Sequence, residues 1–280
     1  MTDAFARVAG TRATLREARI PRATATSVAL LSDVHANVHA LRAVLDEIDR
    51  SSVDLVVLAG DTTWGTFPTE TVMMLRDLQR RIPTMLVRGN ADRAVVELTD
   101  GLRQPETDRD TWMRDRHSTA DVDFLRDAVF QVDVDVAGVG RIRICHGSPR
   151  ADIEALTPRT PLARIAAAVD GVEADILVTG HTHLQFDRAL AGVGRLTRHI
   201  NPGSVGLPYH AGEPGARWAR IGSGAADPLQ LFITAYDLDA HLAALADSDD
   251  PARDRISQLL RVAPTPDELI EHAEALVFSD

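Results

Sequence analysis

Residues 27–61 read SVALLSDVHANVHALRAVLDEIDRSSVDLVVLAGD and carry the clearest periodicity in the chain. Ser27–Val34 is a short run rich in β-branched and leucine side chains, the pattern of a strand buried on both faces. Val38–Arg50 places apolar residues at 38, 41, 44, 45 and 48, the spacing of one helix face. Asp54–Ala59 is a second buried strand, stopped by Gly60. Strand, helix and strand in this order imply parallel neighbours joined by a right-handed crossover. Thr69–Arg80, with Thr69 as its N-cap and Glu70 in the first turn, predicts the next helix. Thr84–Val87 predicts the third strand.

Beyond this parallel beginning the pattern changes. Leu98–His117 is polar and charged and predicts a helical excursion or a lid, and Thr119–Ala128 a short helix. Gln131–Val136 and Arg141–Cys145 alternate about Gly138–Gly140, a β-hairpin. Pro161–Val169 reads as a helix and Ala174–Thr179 as a buried strand. Arg188–Leu190 and Leu196–Ile200 form a second hairpin, and Arg217–Ile221 and Gln230–Tyr236 two further strands. Two short amphipathic helices follow Pro251. The fold class expected is α/β, with two mixed sheets face to face and helices outside. Residues 1–26 read as a loosely ordered extension, 27–240 as the main domain, and 241–280 as a helical tail packed on it.

Composition narrows the function. At 45% hydrophobic and 25% charged residues, the chain can bury a sizeable core. Its single cysteine, Cys145, excludes an internal disulfide and suits a reducing cytoplasm. Apolar runs such as Val28–Leu31 and Leu55–Ala59 are strand length, far short of the roughly 20 residues of a spanning helix. The net charge of −11 argues against long nucleic acids and anionic membranes as partners. Every one of the 30 basic residues is arginine, so Schiff-base chemistry and a P-loop lysine are excluded. Positive charge for a phosphate must come from arginine, helix N-termini or metal ions.

Five short clusters stand directly after apolar strands: Asp33-Val34-His35, Gly60-Asp61, Gly89-Asn90-Ala91-Asp92, His146-Gly147 and Gly180-His181-Thr182-His183. Ligands of open α/β sheets bind where such loops converge, beyond the carboxyl ends of strands. Carboxylate, imidazole and amide groups suit manganese, iron, zinc, nickel or cobalt. Four histidines, two aspartates and an asparagine exceed what one cation needs. They suit two ions sharing a carboxylate, an arrangement that holds a hydroxide and clamps a phosphoryl oxygen. Each cluster alone is a weak signal, and their order is the strong one.

The series "LLSDVHANVHAL", "VVLAGDT", "LVRGNAD", "ICHGSP", "LVTGHTH" and "INPGSVGLP" resembles the calcineurin-like metallophosphoesterases, in particular their small bacterial and archaeal phosphodiesterase branch. The resemblance spans roughly residues 27–236. It implies a four-layer α/β/β/α sandwich. It also implies that Asp33, His35 and His183 bind a first divalent metal, that Asn90, His146 and His181 bind a second, and that Asp61 bridges them. The implied reaction is in-line attack on phosphorus by a hydroxide between the metals. The expected substrate is a small phosphodiester. A nucleoside polyphosphate, a phosphomonoester and a non-catalytic binding role on the same fold are the alternatives, and a homo-oligomer is left open.

One departure from the family matters. Many members carry histidine after the asparagine, where it can protonate the leaving group. Here that position is Ala91, which cannot. Further expectations attach to single residues. Asn37 either caps the following helix or touches the substrate phosphate, and Asp92 either caps a helix or orients a metal-bound group. Arg93 and Arg150 either bind phosphate or form surface ion pairs. His117, His241 and His272 are expected at the surface, and His210 at a pocket rim.

Overall fold

The computed structural model describes residues 20–210, 213–222 and 227–276. Its strands are β1 (Arg22–Ala25), β2 (Ser27–Leu31), β3 (Leu55–Leu58), β4 (Thr84–Leu86), β5 (Gln131–Val136), β6 (Gly140–Cys145), β7 (Ile176–Val178), β8 (Gln185–Val193), β9 (Leu196–Pro202), β10 (Ala216–Gly222) and β11 (Leu229–Thr234). Its helices are α1 (Val38–Asp49), α2 (Pro68–Arg81), α3 (Asn90–Thr99), α4 (Asp108–Arg116), α5 (Thr119–Arg126), α6 (Leu162–Ala168), α7 (Leu238–Ala246), α8 (Arg253–Arg261) and α9 (Pro266–Ala275). One sheet runs β11-β10-β2-β3-β4 and the other β1-β5-β6-β7-β9-β8. The pairs β2–β3, β3–β4 and β6–β7 are parallel.

Alternation along the strands builds the layers. Successive side chains of a strand point to opposite faces. Val28 and Leu30 of β2, and Leu55 and Val57 of β3, therefore meet Ile142, Ile144, Ile176 and Val178 in a core between the sheets. The intervening Ala29, Leu31, Val56 and Leu58 face α1 and α2, packing on Leu41, Val44, Leu75 and Leu78. On the far side, Cys145 and Leu177 pack on Ile165 and Ala168 of α6. The result is the expected α/β/β/α sandwich, and strands buried on both faces explain the near-continuous apolar runs.

Several local expectations differ. Residues 1–19 of the expected extension lie outside the described residues, whereas 22–25 form β1, parallel to β5 with Arg22 opposite Asp133. Helix α2 starts at Pro68 with Phe67 as N-cap, because proline's fixed φ suits a first turn. Thr69 instead donates to Asp121 Oδ2 (2.8 Å). Of the two readings of 98–117, the helical excursion holds, as α4. Met113 of α4 is fully buried in the helix-side core, and His117 is buried between Met113 O (2.7 Å) and Thr63 Oγ1 (2.9 Å). Helix α7 opens the helical tail ahead of the two helices expected after Pro251, and its His241 is buried against His39 (3.2 Å) rather than at the surface. Among the described residues, no helix is long and apolar enough to cross a membrane.

Candidate metal centre

The carboxyl ends of parallel strands from both sheets meet at one point. Asp33 and His35 follow β2, Asp61 follows β3, and Asn90 opens α3 after β4. His146 follows β6, and His181 and His183 follow β7. The loops are cross-braced by backbone bonds: Asp33 N to Gly60 O (2.9 Å), His35 N to Asp61 O (3.0 Å) and Gly180 N to His146 O (2.7 Å). In these braced loops Asp33, His35, Asp61, His181 and His183 take the left-handed region, at φ between 46° and 64°. Non-glycine residues there cost about 1–3 kcal/mol each and collect at functional sites.

Two groups of potential ligand atoms result: Asp33, His35 and His183, and Asp61, His146 and His181. Asp33 Oδ2 accepts from Ser32 Oγ (2.6 Å) and His181 N (3.1 Å), which turns Oδ1 toward His183 Nε2 (3.2 Å) and His35 Nε2 (3.8 Å). Asp61 lies between the groups. Its Oδ1 accepts from Ala91 N (2.8 Å) and faces His146 Nε2 (3.4 Å), while its Oδ2 faces His35 Nε2 (3.7 Å). Asn90 Oδ1 is 3.1 Å from His146 Nε2.

The imidazole orientations follow from their outer partners. His35 Nδ1 meets Trp64 O (3.0 Å), His146 Nδ1 meets Ala59 O (2.8 Å) and His183 Nδ1 meets Leu207 O (2.7 Å). A carbonyl only accepts, so each Nδ1 carries the hydrogen, and in the neutral ring Nε2 is a bare lone pair. Those lone pairs face carboxylates, an amide oxygen and, for His35 and His183, one another at 3.1 Å. Acceptors facing acceptors in a buried site need a positive charge among them. Donor type, outer hydrogen bonds and convergence thus all fit divalent cations.

Without cations, protons play that part. Burial opposes a charge on His146, but Asp61 overrides it and pushes the imidazole up to about 10. Burial would raise Asp61, and His146 instead holds it far below the usual carboxylate range. His183 is raised by Asp33 against the effect of burial. His181 is held down near 4, by burial first and the charge on His146 second. Because His146 is raised above its unfolded value of 6.5, its contribution is complete below that pH and fades as pH climbs through about 10. Asp61 is depressed, so its contribution is lost as pH falls below its unfolded 3.8. The metal-free protein should therefore be most stable between these limits. It should lose roughly a few kcal/mol toward pH 10, with the loss flattened in His146→Gln. Urea melts across pH 6–10 measure this, and matching profiles for wild type and variant would refute it.

The remaining sequence candidates divide. Asp92 both caps α3, accepting from Gly89 N (2.9 Å), and accepts from Asp61 N (2.8 Å), Thr62 N (2.9 Å) and Thr62 Oγ1 (2.7 Å). It positions the Asp61 backbone. Asn37 caps α1 by accepting from Ala40 N (3.0 Å), and its amide donates to Gly206 O (2.9 Å), so it is a structural residue. Arg93 is engaged by Asp152 (2.7 and 3.0 Å) and Glu97, and Arg150 by Glu154. Both guanidinium groups are thus held in ion pairs. His210 Nε2 accepts from Gln185 N (3.1 Å). Tyr209, which sequence reasoning missed, stacks on His183 at 4.5 Å and 9°.

The profile of the calcineurin-like phosphoesterase superfamily domain matches residues 27–221. An uncharacterized protein of Methanocaldococcus jannaschii, MJ0912, is 27% identical over 199 residues, covering 65% of this chain and 76% of that protein. Among solved structures, hypothetical protein PH1004 of Pyrococcus horikoshii superposes with a TM-score of 0.71 at 19% identity, covering 86% of this chain and 99% of that one. A metallophosphoesterase of Sphaerobacter thermophilus gives 0.66 at 24% identity, covering 85% and 99%. These two structures share the fold.

Proposed function

The chain belongs to the calcineurin-like phosphoesterase superfamily, and from that premise we propose that it is a two-metal hydrolase of small phosphodiesters. Asp33, His35 and His183 would hold one divalent cation, Asn90, His146 and His181 the other, with Asp61 reaching both. The observation that carries this is the position of Asp61, whose two oxygens face one group each. Cations bound there supply Lewis acidity toward phosphoryl oxygens and lower the pKa of water. The protein's own share is positional. Asp92 holds the Asp61 backbone, Ser32 turns the Asp33 carboxylate, and carbonyls of Trp64, Ala59 and Leu207 aim three imidazoles inward. The filled ligand set favours catalysis over a binding role. The net charge of −11 favours a singly charged diester over more highly charged monoesters and polyphosphates.

Ala91 sets the chemistry of the leaving group. Its backbone N–H is spent on Asp61, and its side chain holds no proton to give. General acid catalysis ordinarily contributes about 10²–10⁴-fold. Rates with manganese-loaded protein across a series of aryl phosphodiesters should therefore fall steeply as leaving-group pKa rises. A flat plot would show that another group protonates the leaving oxygen. Faster turnover of aryl monoesters or phosphoanhydrides than of diesters would overturn the substrate assignment.

A further inference from the structure

The last two helices cover one side of the metal centre. Asp250, ahead of α8, accepts from Thr66 Oγ1 (2.8 Å), and Glu274 of α9 accepts from Thr157 Oγ1 (2.6 Å) and Thr160 Oγ1. These bonds pin α8 and α9 to the loops after β3 and β6. Both helices lie beyond residue 221, where the match to the family ends. Between them and the centre is a cleft of about 100 Å³. Its walls are Leu184, Leu259, Pro264, Leu269 and Leu276, and His181, Thr182 and Tyr209 border it on the metal side. Helix α8 is amphipathic, yet none of its residues is buried. An apolar face left half covered beside a catalytic centre is the form of a ligand site.

Charge at the cleft is also uneven. Arg255 of α8 lines it. Arg109 of α4 has its closest carboxylate, Asp250, at 4.0 Å, and its Nε is buried without a hydrogen bond. Burial first, and Arg255 as a like charge, lower the pKa of Arg109, against the pull of Asp250. Both arginines also act on Tyr209, which burial pushes up to about 12 and which stacks on His183. Arg255 stands on the wall of the cleft, and Arg109 lies behind it, held to Asp250. An anion relieves that repulsion and satisfies the fork geometry of guanidinium donors.

We infer that this cleft selects the substrate: it receives an uncharged, ring-sized apolar ester group, while Arg255 on its wall meets an oxygen of the phosphate that bears it. The inference rests on the two-metal reading above, and binding rather than turnover tests it. Methyl(phenyl)phosphinate and dimethylphosphinate, which carry one charge like a diester and are not hydrolysed, are titrated calorimetrically into the full-length manganese-loaded protein. Burial of the ring should make the phenyl ligand bind roughly 10- to 100-fold tighter. Ala273→Trp, which fills the cleft from α9, should reduce the phenyl ligand to the affinity of the methyl one. Leu269→Asn should give the same loss if the tryptophan variant does not fold. Arg255→Ala should weaken both ligands by about fivefold, and more at low salt. Equal affinity of the two phosphinates, or a phenyl advantage that survives in folded Ala273→Trp, overturns the inference and leaves the two-metal reading intact. Failure of both phosphinates to bind in the presence of manganese overturns that reading, and the inference with it.

Discussion

Asp61→Asn should lower kcat/KM for an aryl phosphodiester by at least about 10³-fold and strip cations from both positions together. Asparagine keeps the size of the side chain and can keep an oxygen on Ala91 N, which Asp61 Oδ1 holds at 2.8 Å. The amide nitrogen then replaces Oδ2, the atom facing His35 Nε2 at 3.7 Å. A donor stands where one cation requires an acceptor, and the charge shared with the other is gone. The variant also releases His146 from the partner that raises its pKa, so the metal-free form should melt earlier near pH 6. Metal content after gel filtration, turnover and a melt of the metal-free form at pH 6 measure the three effects. Two tightly held cations with ordinary turnover would show that Asp61 does not stand between them.

Asp61 was legible because its setting is local. A buried strand, a glycine and an aspartate read the same on the page and in space, and so did the other four strand-end clusters. The layers were legible for a related reason, since β2 and β3 are buried on both faces and α1 on one. What escaped depends on partners distant in sequence. Nothing in Asp33 or His35 announces a left-handed backbone, which accompanies bonds to Gly60 O and Asp61 O. The acceptors that orient the imidazoles are backbone carbonyls, and these carry no residue signature. His117 and His241 look like surface histidines until Thr63 and His39 arrive beside them. Arg255 reaches the cleft only because the tail docks on the loops after β3 and β6. One signal was present and unused. Glu154, only four residues after Arg150, was close enough in sequence to offer that arginine a partner.

Gly89→Ala should cost about 10²-fold in kcat/KM, although alanine is sterically at ease with the local backbone. Gly89 has φ −85° and ψ 170°, open to any residue. The constraint is space. A Cβ there would stand 2.1 Å from Asp61 Oδ1 and 2.3 Å from Asp61 N. The Gly89 and Asp61 loops are held this close by Asp92, which takes N–H groups from both. Two responses are open. The Asp61 carboxylate can rotate, giving up Ala91 N and its place between the groups. Alternatively the loops can part, breaking the bonds to Asp92. Either moves Asp61 by something on the order of 1 Å, a displacement that costs about 10²-fold at a reacting centre. Overpacking adds about 1–3 kcal/mol of destabilisation. Gly192→Ala separates this from a general penalty on glycine replacement. Gly192 sits at φ +73° with nothing within 4 Å, so alanine there should cost about 1 kcal/mol of stability and no turnover. The comparison needs only kcat/KM and a thermal melt for each variant. If the Gly89 variant turned over normally, the close approach of the two loops would not be what holds Asp61 in place, and the positional role assigned to Asp92 would fall with it.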